Sequence, residues 1–300
     1  MQNKMDFTLS AYKQLVLTLQ SQGYSFQTFE EDLKNSKEKV VILRHDVDRL
    51  PGNSLKTAVL ENELGIKASY YFRIVKESYD EDIIRQIAGM GHEIGYHYEN
   101  LSEISKKNPQ IDADHLISRR RTRTDADICP SDFAGQKESS LREKKEFRDK
   151  FFELAIDDFE RNLEKMRKLY PVKTICMHGS PLSKWDNRDL WKRYDYRDFG
   201  IIAEPYFNVN FDEVFYLTDT GRSWNNSKVS VRDKINSKFD IKIKDTYHLI
   251  GKIQKNELPD KIMMNVHPQR WNDYGYNWYK ELLMQNVKNV VKRLMLKLRD

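Results

Sequence analysis

Cysteine is scarce in this chain of 300 residues, which has only Cys129 and Cys176. Neither falls in a Cys-x-x-Cys or Cys/His zinc-finger spacing. That argues against a disulfide scaffold and a zinc finger, and two unpaired thiols in a reducing compartment are expected. No apolar run approaches a membrane span, and the opening MQNKMDFTLS lacks a charged segment followed by an apolar one. No membrane span is expected, and the expected location is the cytoplasm. Excess charge of one sign is missing too. Lys and Arg number 51 against 46 Asp and Glu, a net +5, which is not the footprint of a dedicated nucleic-acid binder.

What is present suits a folded enzyme. Hydrophobic residues make up 39% of the chain, with 16 Tyr, 14 Phe and 5 Trp, enough for a sizeable core and against general disorder. Apolar runs predict strands at Val40–Leu43, Ala68–Phe72, Glu93–Tyr96, Thr174–Met177, Gly200–Ala203, Val214–Leu217 and Ile262–Val266. Helical spacing predicts helices from Pro51 to Leu64, Asp80 to Met90, Phe147 to about Tyr170 and Trp278 to Leu298. Strands alternating with helices imply parallel pairing, and about seven strands imply an α/β fold, a distorted (β/α) barrel forming a single domain over 1–300. A polar stretch at about 105–145, with Arg119, Arg120, Arg121 and Arg123 offset by Asp112, Asp114, Asp125 and Asp127, reads as a solvated insertion.

Ionisable residues follow these strands repeatedly: Arg44-His45-Asp46-Val47-Asp48, His97-Tyr98-Glu99, His178-Gly179-Ser180-Pro181, Asp219-Thr220-Gly221-Arg222 and His267-Pro268-Gln269-Arg270-Trp271. In α/β folds this edge carries the active site. Asp46 and Asp48 share one face of a strand end, and such close carboxylates repel unless a cation or proton intervenes. A metal held by one carboxylate and imidazoles resolves this, leaving the other Asp as a general base; a helix N-cap or loop pair is the structural alternative.

RHDVD, then GHEIGYH, then NVHP, spread over Val40 to Trp271, resemble the polysaccharide deacetylase superfamily (carbohydrate esterase family four). The resemblance implies a distorted barrel that removes acetyl groups from N-acetylated sugars with one divalent metal ion, expected to be zinc. It implies that Asp46 is the catalytic base, Asp48 the metal-binding Asp, His97 the first metal-binding His, and His267 the acid that protonates the leaving amine. The family's second metal His lies four residues after the first, where this chain has Leu101. Where the family carries an Arg before a Pro, this chain reads MHGSP. His178 is expected to complete the metal triad; the alternative is that it hydrogen-bonds substrate in place of that Arg. Asp219 and Trp224 loosely echo the family's Asp–Trp pair.

Arg44, Glu204, Tyr206, Asp219, Arg222 and Trp271 are the candidate substrate-binding residues, and Trp185 and Trp224 are further candidates for stacking on a sugar. His45 and His92 are expected to be structural. The expected function is a metal-dependent hydrolase acting on a sugar or glycan precursor. Amide formation or transfer in surface-polysaccharide assembly is one alternative, and a catalytically inactive glycan-binding relative is another. Nucleic acid is not an expected partner.

Overall fold

The computed structural model describes residues 5–109, 134–181, 183–225, 235–273 and 275–299. In chain order its elements are α1 (Leu9–Ser21), β1 (Ser25–Gln27), α2 (Phe29–Lys34), β2 (Val40–Val47), α3 (Pro51–Glu63), β3 (Ser69–Phe72), α4 (Glu81–Gly89), β4 (Glu93–Tyr98), α5 (Asn100–Lys107), α6 (Ala134–Arg167), β5 (Ile175–Met177), α7 (Pro205–Asn208), β6 (Phe215–Thr218), α8 (Thr246–Gln254), β7 (Lys261–Val266) and α9 (Tyr276–Arg299). Short 3-10 turns lie at Asn187–Lys192, Tyr196–Phe199 and Pro268–Arg270. Local chemistry explains several helix starts. Thr28 and Glu31 form a reciprocal capping box on α2, Asp80 caps α4, Asp245 caps α8, and Pro51 opens α3.

The strands form one parallel sheet in the order β5-β4-β3-β2-β7-β6, with β1 added beside the first half of β2. The sheet is curled into a half-barrel. Arg44 shows the curl directly: from β2 it donates to Cys176 Sγ on β5 and, at 3.1 Å, to the Tyr216 hydroxyl on β6, the two edges of the sheet.

Alternation along the strands sorts side chains between two layers. Val41, Leu43 and Val47 face the helices in the main core, whereas Ile42, Met263 and Tyr216 meet Phe29 and Ala203 in a second cluster inside the curl. Above that apolar plug lies a polar layer of Arg44, Tyr71, Cys176 and Asn265, all fully buried. Gly95 in β4 makes room for it: a Cβ there would lie 2.3 Å from two Tyr71 ring carbons. The next residues up the same inward faces are Asp46, His97, His178 and His267, so the curl delivers ionisable groups to the C-terminal edge.

Several expectations need correction. β2 continues to Val47, because Arg44, His45 and Asp46 are strand residues buried on one face or the other. The strand expected at Gly200–Ala203 is reduced to one parallel bridge, Ala203 to Thr174, since Gly200 at φ 68° ends a 3-10 turn. β1, α1, α2, α5, α7 and α8 were not anticipated. The polar stretch at 105–145 begins inside α5 and ends inside α6, which starts at Ala134. Its arginine cluster, like Cys129, lies outside the described residues.

Candidate metal centre

β4 and β5 pair with His97 opposite Cys176, so His178, two residues beyond Cys176, is placed next to His97. Each imidazole is anchored through Nδ1: His97 to the Cys176 carbonyl at 2.9 Å and His178 to the Glu99 carboxylate at 2.9 Å. A ring that donates through Nδ1 presents a bare lone pair at Nε2, the usual state of a metal-binding histidine with its outer partner. Both Nε2 atoms lie 3.6 Å from Asp48 Oδ1, too far for a hydrogen bond. Oδ1 is buried and has no hydrogen-bond partner among the described residues. The other Asp48 oxygen accepts from Gln269 at 3.0 Å. A tetrahedral ion at ordinary zinc–ligand distances would separate its ligand atoms by about 3.3 Å, close to these spacings. Asp48, His97 and His178 can therefore hold a metal ion, as can a second, deeper group, Asp46, His97 and Cys176.

Asp46 and His267 occupy the other side. Asn265 donates to Asp46 Oδ2 at 2.8 Å, and Arg44 lies 3.6 Å from the same oxygen. Burial would raise the Asp46 carboxyl, but Arg44, His97 and His267 outweigh it and hold the group below its ordinary range. His267 Nε2 is 4.0 Å from Asp46 Oδ2. Its Nδ1 is bound to Asp219 at 2.6 Å. Asp219 also accepts from the Arg270 guanidinium at 2.6 Å, the Trp271 indole at 2.7 Å and the His267 amide at 3.1 Å. Burial opposes ionisation of Asp219, yet Arg270 and His267 bring its carboxyl down to about 2. Glu99 is brought to about 2 against burial by His178 and Arg73.

The structure thus gathers Asp46, Asp48, His97, His178 and His267 around one mouth. It places most of the candidate substrate residues elsewhere. Arg44, Glu204 and Asp219 are 0% exposed and Trp271 only 1%, behind the mouth and not in it. Both Glu204 oxygens accept backbone amides, from Met177 and Tyr206, and burial raises its carboxyl to about 7. Arg222 turns to the rings of Phe7 and Trp278. Tyr206 is half-buried, with its hydroxyl 3.5 Å from Arg44. Trp271 and Trp224 pack on Phe7, and Trp185 packs on Phe151 and Phe152, as core aromatics do. His45 faces the helices and binds Glu61 at 2.8 Å. His92 accepts from the Ala68 amide at 3.2 Å.

The sequence assigned no role to Glu99, Asn265, Gln269, Arg270 or Arg73, although Glu99, Gln269 and Arg270 stand at the strand ends named above. The first two were accessible in principle: Glu99 is two residues beyond His97 and Asn265 two before His267, so each shares its neighbour's face. Arg73, which donates to Glu99 at 2.6 Å and to the Asp48 carbonyl at 3.1 Å, carried no such signal. No family model, curated protein or solved structure matches the chain.

Proposed function

We propose that the chain is a metal-dependent hydrolase that removes an N-acetyl or similar acyl group from a sugar or glycan precursor. Asp48, His97 and His178 hold the ion, expected to be zinc. The observation that carries the reading is the buried, unbonded Asp48 Oδ1 facing two Nε2 atoms whose rings are fixed from behind. The Asp46–His97–Cys176 group is the poorer home for a cation, because burial favours the neutral Cys176 thiol and the Arg44 guanidinium already lies against its sulfur. The other site opens outward, with Asp48 and His178 side chains 24% and 17% exposed.

A divalent ion at that position supplies Lewis-acid polarisation of the acyl oxygen and a more acidic water. Asp46, kept ionised by Arg44 and oriented by Asn265, takes the proton from the attacking water. His267, held by Asp219 through Nδ1, gives its Nε2 proton to the departing nitrogen. His178 in place of the resembled family's arginine favours a second reading, acyl transfer to or from an amine at the same centre.

Protein purified without chelator and incubated with N-acetylglucosamine oligosaccharides should release free acetate. Asp46→Asn should abolish release while keeping its metal, and His267→Ala should lower the rate by about two to four powers of ten. Near-normal release by Asp46→Asn would contradict the base assignment. Acyl transfer without free acetate would select the second reading.

A further inference from the structure

Helix α9 packs on the domain with its polar face. Glu281, Gln285 and Asn289, successive turns of one face, are buried. Glu281 pairs with Arg49, and Asn289 donates to the Gly221 carbonyl at 2.9 Å. Gln285 donates to Asn289 at 2.8 Å, and the Trp278 indole donates to the Asp6 carbonyl at 2.8 Å. The opposite face is apolar and open: Tyr276, Tyr279, Leu283, Val287 and Val290 are 78%, 52%, 67%, 58% and 53% exposed. Steps of three and four residues line them up as one stripe. A surface helix of a globular protein ordinarily turns its apolar face inward, so this helix is built to meet an apolar environment outside its own domain.

Charge identifies that environment. Segment 276–299 contains Lys280, Lys288, Lys292, Arg293, Lys297 and Arg299, and its single acid is Glu281, already paired with Arg49. A second copy docked stripe to stripe would bring two sets of cations together with no free acid between them. An acidic lipid surface answers both halves of the pattern: acyl chains take the apolar stripe, and headgroup phosphates take the cations of the segment, of which Lys280 and Lys288 are exposed. We infer that α9 lies on an anionic membrane surface as an interfacial helix. Arg49, the partner of Glu281, directly follows Asp48, so the helix borders the mouth of the candidate centre and docking brings that mouth to the lipid. The inference goes beyond the hydrolase reading and stands without it, since its readout is binding.

The test is flotation of the full chain with vesicles of phosphatidylcholine alone, and of phosphatidylcholine with phosphatidylglycerol. The chain should float with the anionic vesicles, remain behind with the neutral ones, and be released at about 1 M salt, where charge is screened within a few ångströms. Leu283→Glu combined with Val287→Glu should weaken binding by about tenfold or more, with circular dichroism and metal content unchanged. Wild-type protein that stays unbound on anionic vesicles, binds both vesicle types equally, or binds as well after the double substitution would overturn the inference. So would a concentration-dependent dimer in sedimentation that the double substitution abolishes, because it would assign the stripe to a second copy.

Discussion

Replacing Asp219 by Asn leaves four donors aimed at a side chain that has lost its charge: the Arg270 guanidinium, the His267 ring, the Trp271 indole and the His267 amide. The volume is conserved, so packing is not the issue. Arg270 is 6% exposed and Asp219 0%, and breaking a buried pair from one side typically costs about 3–5 kcal/mol. Asp219 also carries a proton-linked contribution. Its carboxyl falls from 3.8 to about 2 on folding, so the unfolded chain binds more protons and stability rises with pH, an effect of about 2 kcal/mol at neutrality. That stabilisation is complete above about pH 4 and is lost as pH falls toward 2. Urea unfolding at pH 7 should therefore show Asp219→Asn less stable by about 3–5 kcal/mol, with the gap to wild type narrowing by about 1 kcal/mol at pH 3. A gap below about 1 kcal/mol at pH 7, or one that does not change with pH, would refute the assignment of Asp219 as the buried counter-charge behind His267.

Gly95→Ala should destabilise by about 1–3 kcal/mol in thermal or urea unfolding, because the new methyl meets the Tyr71 ring and the Thr174 carbonyl; a neutral result would mean that the polar layer beneath the site is not tightly packed. Glu61→Gln should cost about 3 kcal/mol, since the buried carboxylate accepts from Tyr12, Tyr70 and His45. It should leave metal content unchanged, because His45 faces the helices; metal loss would show that the two faces of β2 are coupled. Glu99, like Asp219, has a depressed carboxyl at about 2, so its contribution is lost on acidification. Acid unfolding followed by circular dichroism should set in between about pH 4 and 2, and be less steep in Glu99→Gln; an identical profile would remove Glu99 from the linkage.

Much of this was legible before any coordinates. Val40, Ala68, Glu93 and Ile262 begin apolar runs that became or overlap paired strands, and the parallel sheet follows from their alternation with helices. What hid the rest was the same physics that makes the site. Hydropathy ends a strand at Leu43, yet Arg44, His45 and Asp46 continue it. The interior supplies Arg44 with Cys176, Tyr216 and Asp46, and the helix layer supplies His45 with Glu61. Trp271 and Asp219 follow predicted strands as open substrate contacts would, but their roles emerge only from pairing across distant segments. Asp219 and Trp271 stand 52 positions apart, and the chain between them carries no local sign of the hydrogen bond that joins them. Leu101 illustrates the converse: its place in α5 is filled by core packing at 0% exposure, and His178 reaches the same cup from the neighbouring strand.

The central claim rests on which side chains hold the ion, and metal stoichiometry tests it most directly. Elemental analysis of chelator-free wild type, His178→Ala and Cys176→Ser, each dialysed against buffered zinc, should find about one ion per chain in wild type and in Cys176→Ser, and a loss of about tenfold or more in affinity for His178→Ala. Full occupancy in His178→Ala, or loss in Cys176→Ser, would contradict the account and move the ion to Asp46, His97 and Cys176.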